Sequence, residues 1–254
     1  MRQIGFSTGA LCKSDFRGAL AILEPHNLPC IELSALRMHE VVPLLDALEA
    51  LDLGRYKTIS FHAPGKYEKH EELELSQMLF ERVPADWPII MHPDAIWEFA
   101  HWRRFGRRLA IENMDRRKPV GRNISELNAV FAQLPDASLC FDIGHARQFD
   151  SSMTEAFLIL MAFRDRLVQV HISEVNSESQ HDAISSGAKL SFQQVANMID
   201  ERVPLILESR VGQDAISSEI RNALDSLSLN SDSRRNKRTL DVVRNIGSLM
   251  QSFS

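Results

Sequence analysis

Eight short apolar runs recur along the chain, and stretches of a different period separate most of them. The runs are IGFSTGAL (4–11), CIELSAL (30–36), KTISFHAP (57–64), WPIIMHPD (87–94), RLAIENMD (108–115), SLCFDIGH (138–145), LVQVHISEV (167–175) and PLILESRV (204–211). Their length and aliphatic or β-branched content are those of strands buried on both faces. Between them, VVPLLDALEAL, EELELSQMLFERV, ISELNAVFAQL, TEAFLILMAF and SFQQVANMID repeat apolar residues at the helical period. Asn123 precedes ISEL as a helix N-cap, with Glu126 three residues on, where a capping box wants it.

Strand then helix, carried to eight strands in 254 residues, predicts an α/β chain folded as a single (β/α)8 TIM barrel over 1–229. The rival, an open doubly wound sheet, usually has about five or six strands. The first turn here also lacks the GxGxxG such sheets use for dinucleotides. From 230 to 254 the text becomes NSDSRRNKRTLDVVRNIGSLMQSFS, a polar, basic linker and a short amphipathic segment. It is expected to form a C-terminal helix docked on the barrel's outside, or on a partner subunit of a homo-oligomer.

A net charge of −5 argues against a protein that coats itself in nucleic acid. No run approaches the roughly 20 apolar residues of a membrane span. Cys12, Cys30 and Cys140 form no CxxC pair and read as reduced core residues of a cytoplasmic protein.

In a TIM barrel the active site lies at the C-terminal ends of the strands. In chain order those ends carry Glu32, His62, His92, Glu112, Asp142 with His145 just beyond, His171 and Glu208. Any one of them, alone, is a polar terminus reaching solvent. Seven consecutive strands using the same device converge on one mouth, where several carboxylates would repel one another unless a cation sat among them. Mixed imidazole and carboxylate ligands suit Zn²⁺, Mn²⁺, Fe²⁺ or Co²⁺, so a divalent metal ion is the expected cofactor. His26, His39, His70 and His101 end no strand and are taken as structural.

SFHAPG, IIMHPD, AIENMD, CFDIGHAR, VHISEV and LILESR resemble the strand-end motifs of the xylose-isomerase-like TIM barrels. That superfamily holds sugar isomerases and epimerases, some sugar-acid dehydratases, and zinc-dependent apurinic-site endonucleases. The resemblance spans residues 4–211 and implies that Glu112, Asp142, His171 and Glu208 form a shared metal quartet. In the epimerase-like members, the equivalents of Glu112 and Glu208 are also the acid/base pair. His62 and His92 fall where the endonucleases bind a second zinc, and His145 and His181 where they bind a third. The endonucleases carry an aspartate two residues before that last histidine. Here Ser179 stands in its place, which counts against a complete trinuclear site.

Several residues near the predicted mouth are candidates for substrate binding. Glu32 either binds a substrate hydroxyl or pairs with a base such as Arg37. Glu174, in the glutamate form of a family His-x-x-Asp, is positioned to orient His171. Arg116, with Arg117, Lys118 and Arg122, forms a loop read as a clamp for a carboxylate or phosphate, and Arg147 and Arg210 sit near the same rim. HWRRFGRR (101–108) precedes the fifth strand and is read as a solvated helix end on the opposite face.

The expected function is metal-dependent isomerisation, epimerisation or dehydration of a small keto-sugar or polyol derivative, acidic or phosphorylated if the clamp is used. The alternative is an apurinic-site endonuclease-like phosphodiesterase. A barrel serving only for binding or assembly is the third reading.

Overall fold

In the computed structural model, which describes residues 2–228, eight parallel strands close into a barrel. The strands are β1 (Ile4–Ser7), β2 (Cys30–Ser34), β3 (Thr58–His62), β4 (Ile89–Met91), β5 (Leu109–Glu112), β6 (Ser138–Asp142), β7 (Leu167–Ile172) and β10 (Leu205–Leu207). Each pairs with its sequence neighbours, and β1 closes the ring between β2 and β10. The open-sheet alternative is thereby excluded. The expected C-terminal segment at 230–254 lies outside the described residues. The last helix described, Ile216–Ser226, belongs to the barrel's outer layer. Among the described residues no helix is long and apolar enough to cross a membrane.

Alternation along the strands divides the interior from the helix-covered outside. In β2 and β3, Ile31, Leu33 and Phe61 join the main core, whereas Glu32, Ser60 and His62 meet one another's neighbours inside the barrel. A second, smaller cluster of Ile90, Ala110 and Cys140 packs with Val168. These residues stand two positions before His92, Glu112 and Asp142, so they floor the polar mouth with an apolar plug.

Two crossovers differ from expectation. Between β4 and β5 the chain makes only short 3-10 turns, and HWRRFGRR falls in them instead of in a helix end. Trp102 fills the place of a helix: it is fully buried, and its indole N–H donates to Glu72 at 2.9 Å. The run at 167–175 also breaks after Ile172. Glu174–Val175 (β8) turns out of the barrel and pairs antiparallel with His181–Asp182 (β9). That hairpin carries His181 back to the mouth.

The helix Ile124–Gln133 begins as expected, with Asn123 Oδ1 accepting from the Glu126 amide at 2.9 Å. The capping box is only half made, because the Glu126 carboxylate accepts from the Arg122 backbone and guanidinium instead. Arg122 is therefore tied to its own helix and does not reach a ligand.

Candidate metal and substrate site

Register brings the strand ends together. Asp142 is the β6 partner of His171 in β7, and Glu112 in β5 pairs with Cys140, two residues before Asp142. The ligand atoms of Glu112, Asp142, His171 and Glu208 all lie within 4.8 Å of one another. Glu112 is the hub, with four imidazoles around its carboxylate. His62 Nε2 and His92 Nε2 lie 3.3 and 3.0 Å from Oε2, and His171 Nδ1 and His145 Nδ1 lie 3.1 and 3.4 Å from Oε1.

Two flanking sets share these ligands: His62 and His92 with Glu112, and His145 and His181 with Asp142. The set with His145 and His181 therefore draws its carboxylate from Asp142, which the quartet also uses. Ser179 itself donates to Asp115 at 2.6 Å.

The stretch DIGH explains how one short segment supplies two ligands. Asp142 caps the helix Ile143–Phe149 by accepting from the His145 amide at 2.6 Å, so carboxylate and imidazole point to one side. Gly144 permits the turn, since a Cβ there would lie 2.4 Å from the carbonyl oxygen of Ser173, just past the end of β7. We expect Gly144→Ala to push this turn off the end of β7. It should cost about 2–3 kcal/mol of stability, the scale of core overpacking. Thermal or denaturant unfolding checks this.

Asn113, which sequence reasoning missed, locks Asp142 from the other side. Its side-chain amide donates to the Asp142 carbonyl and accepts from the Asp142 amide, both at 2.8 Å. The signal was present as a buried asparagine directly after Glu112, with nothing in the sequence to show its partner.

Glu32 departs from expectation. It sits two residues before the end of β2 and so lies one layer below the mouth, fully buried. It pairs neither with Arg37 nor with the cavity. Its Oε2 lies 2.9 Å from His171 Nε2, accepts from Gln169 Nε2 at 2.6 Å, and accepts from Ser60 at 3.3 Å. An ionised carboxylate can only accept, so the Glu32 contact is a hydrogen bond when His171 Nε2 carries its proton, which sets that N–H beside the Gln169 amide nitrogen at 2.9 Å. The Nδ1 lone pair is then left facing Glu112 and Glu208. Glu32 and Gln169 thus do the orienting expected of Glu174. Glu174 instead pairs with Arg147 at 3.0 Å and accepts from the Ser185 amide at 3.0 Å. We expect Glu32→Ala to weaken divalent-metal affinity by about 10–100-fold, as loss of an imidazole's outer partner generally does. Competition with a chelator measures it.

A cavity of about 330 Å³ opens above the quartet. Lys66, Lys118 and Arg210 line it, together with His62, His92, Glu112, His145, His181 and Glu208. Arg116 and Arg147 do not line it. Arg116 is exposed and donates to the Gln148 carbonyl, and Arg147 is occupied by Glu174 and Ser191. Of the expected clamp residues only Lys118 and Arg210 reach the cavity, and Lys118 is paired with Asp94 at 2.8 Å.

The electrostatics are those of charges crowded out of water. Burial raises the Glu208 carboxyl to about 8; the negative charges of Glu112, Asp142 and Glu32 add to this, and His171 opposes it. Asp142 is also raised, chiefly by burial. Burial would raise Glu112 too, but His171 and His92 hold it well below the usual carboxylate range. Burial alone would lower His62. Its hydrogen bond to Glu112 and the charges of Glu32 and Glu112 overcome that and raise it to about 9.

These residues fit a divalent ion. Asp142 Oδ2 and Glu32 Oε1 are buried and accept no hydrogen bond in the described structure, and unsatisfied buried carboxylate oxygens are costly. Mixed nitrogen and oxygen donors suit a transition-metal ion or Zn²⁺.

No protein-family model matches the chain, and neither does any curated protein. Solved structures do. A protein from Anabaena variabilis, provisionally described as a sugar phosphate isomerase/epimerase, aligns over 87% of this chain and 88% of its own, with TM-score 0.56 and 15% identity. The 3-keto-D-glucoside 4-epimerase of E. coli aligns over 89% of this chain and 99% of its own, with TM-score 0.51 and 10% identity. Both of these neighbours carry sugar isomerase or epimerase descriptions, and at these identities what the chain shares with them is the (β/α)8 barrel fold.

Proposed function

We propose that the protein is a divalent-metal-dependent isomerase or epimerase acting on a small keto-sugar or polyol derivative, with dehydration as the variant outcome. The observation that carries this reading is the convergence of Glu112, Asp142, His171 and Glu208 beneath a cavity of about 330 Å³. That volume is at the small end of the range for small-molecule sites. The neighbours named for sugar isomerisation and epimerisation support the same class. The three free cysteines are in keeping with a cytoplasmic enzyme.

Glu112, Asp142, His171 and Glu208 would hold the ion. Bound there, a divalent ion supplies Lewis-acid polarisation of a substrate's adjacent oxygens, which lowers the cost of removing the intervening α-proton. The remaining work belongs to the chain. Glu112 and Glu208 extend from strands on different sides of the mouth. One carboxylate oxygen takes the α-proton and the other group returns a proton to the opposite face or the next carbon. Asp142 is fixed by Asn113, and His171 by Glu32, so neither swings away as substrate enters. Arg210 and Lys66 at the cavity wall meet anionic or hydroxyl groups of the substrate.

A second reading, an apurinic-site endonuclease-like phosphodiesterase, is favoured by one observation: the flanking sets His62–His92–Glu112 and Asp142–His145–His181. Two measurements separate the readings. Elemental analysis giving one ion per chain, with α-proton exchange into D₂O from a keto-sugar, supports the isomerase. Two or three ions per chain with cleavage of abasic DNA and no such exchange removes it.

A further inference from the structure

A second depression, larger than the cavity, runs along the same rim over the loops that follow β2, β3 and β4, with a volume of about 550 Å³. Lys66 lines both, so the two adjoin at that side chain. The groove contains Trp97, whose side chain is held out in solvent at 55% exposure. This exposure is built in. Glu72, itself 1% exposed, accepts from the backbone amides of Trp97 and Glu98 at 2.8 and 2.9 Å and from the Trp102 indole at 2.9 Å. The Tyr67 hydroxyl donates to the Ala95 carbonyl and ties the β3 loop to the same platform. A buried carboxylate with three N–H donors fixes the loop while leaving the indole face uncovered.

Three carboxylates and two cations line the groove, and they differ in how they are engaged. Of the groove's acids, Asp94 is engaged by Lys118, and Glu68 and Glu71 cap each other's backbone in a capping box. Arg37 and Lys66 have no carboxylate partner among the described residues. A flat aromatic face beside two free cations suits a ring that carries an anion.

We propose that this groove is a second subsite, taking the distal ring of an anionic glycoside: the ring lies on Trp97, and its phosphate or carboxylate meets Arg37 and Lys66. The inference rests on the reading of the adjoining cavity as a sugar site, and it makes the substrate a two-ring compound with its reacting ring over the quartet.

Fluorescence tests it directly, because Trp87 is 9% and Trp102 0% exposed, leaving Trp97 as the quenchable indole among the described residues. The metal-loaded full chain is titrated with trehalose 6-phosphate, trehalose and glucose 6-phosphate, with acrylamide as quencher and Trp97→Phe to assign the accessible signal. Trehalose 6-phosphate should shield the indole and bind about tenfold or more tightly than either other sugar, and Arg37→Ala should remove about that factor while leaving trehalose unaffected, the scale of a charge-assisted bond. Equal affinities for the three sugars, an indole left unshielded, or one already inaccessible without ligand overturns the proposal. Turnover is not needed for this readout. Shielding without any α-proton exchange keeps the subsite and drops the isomerase; exchange from small keto-sugars without shielding does the reverse.

Discussion

Asp142→Asn and His171→Ala should each yield a folded barrel that no longer retains its divalent ion through dialysis. Asp142 Oδ2 is buried without a hydrogen-bond donor, and His171 Nδ1 points into the same space as Glu112 and Glu208. Removing the Asp142 charge leaves an amide, whose oxygen is a weaker ligand and whose NH₂ has no acceptor provided for it. Removing the imidazole deletes a ligand and leaves Glu32 and Gln169 facing a void. Both changes should reduce metal content from near one equivalent to near zero at micromolar protein. The fold should survive in Asp142→Asn because the cap on the His145 amide needs only one side-chain oxygen. The His171→Ala protein also loses a fully buried side chain and should unfold earlier by about 2–4 kcal/mol, in the range of buried large-to-small changes. Circular dichroism and elemental analysis on the same samples separate loss of metal from loss of structure. Unchanged metal content in both variants would remove the quartet assignment.

The parts legible in the sequence were those governed by local period. Eight apolar runs became eight strands, and the strand-end residues His62, Glu112, Asp142 and Glu208 came to one mouth, because barrel closure forces the ends of all strands onto one rim. What failed depended on depth and partners. Glu32 looked like another strand end, yet β2 runs two residues past it and the side chain drops beneath His171. Arg147 looked available to substrate and Glu174 to His171, and instead they neutralise one another. Such pairing across 27 residues is set by loop geometry and not by spacing. Asn113 and Gln169 were passed over because a single buried amide announces nothing until its hydrogen-bond partners are known. His181 was placed by resemblance, and the hairpin that delivers it could not be read from a run that seemed to continue to 175. Trp97 was missed because one tryptophan in a loop reads as ordinary surface. Only the buried Glu72 beneath it shows that its position is maintained.

Glu208→Gln should hold metal measurably yet exchange no substrate α-proton, with turnover reduced by about 10²–10⁴-fold, the contribution of a general acid or base. The amide keeps an oxygen of similar reach but has no usable proton affinity at neutral pH. Glu208 is the group for this test because its carboxylate lines the cavity and is 13% exposed, whereas Glu112 is 1% exposed and held by four imidazoles. Loss of Glu112 would therefore disturb the ligand set along with any proton transfer, and its phenotype would mix the two. At Glu208 the surroundings are simpler: His171 Nδ1 and His181 Nδ1 each lie 3.5 Å from Oε2. Metal content per chain, measured beside deuterium incorporation at saturating keto-sugar, gives the two quantities needed. Metal retained with exchange abolished assigns proton transfer to Glu208. Metal retained with exchange at the wild-type rate shows that Glu208 is a ligand only, and that the base lies elsewhere on the rim.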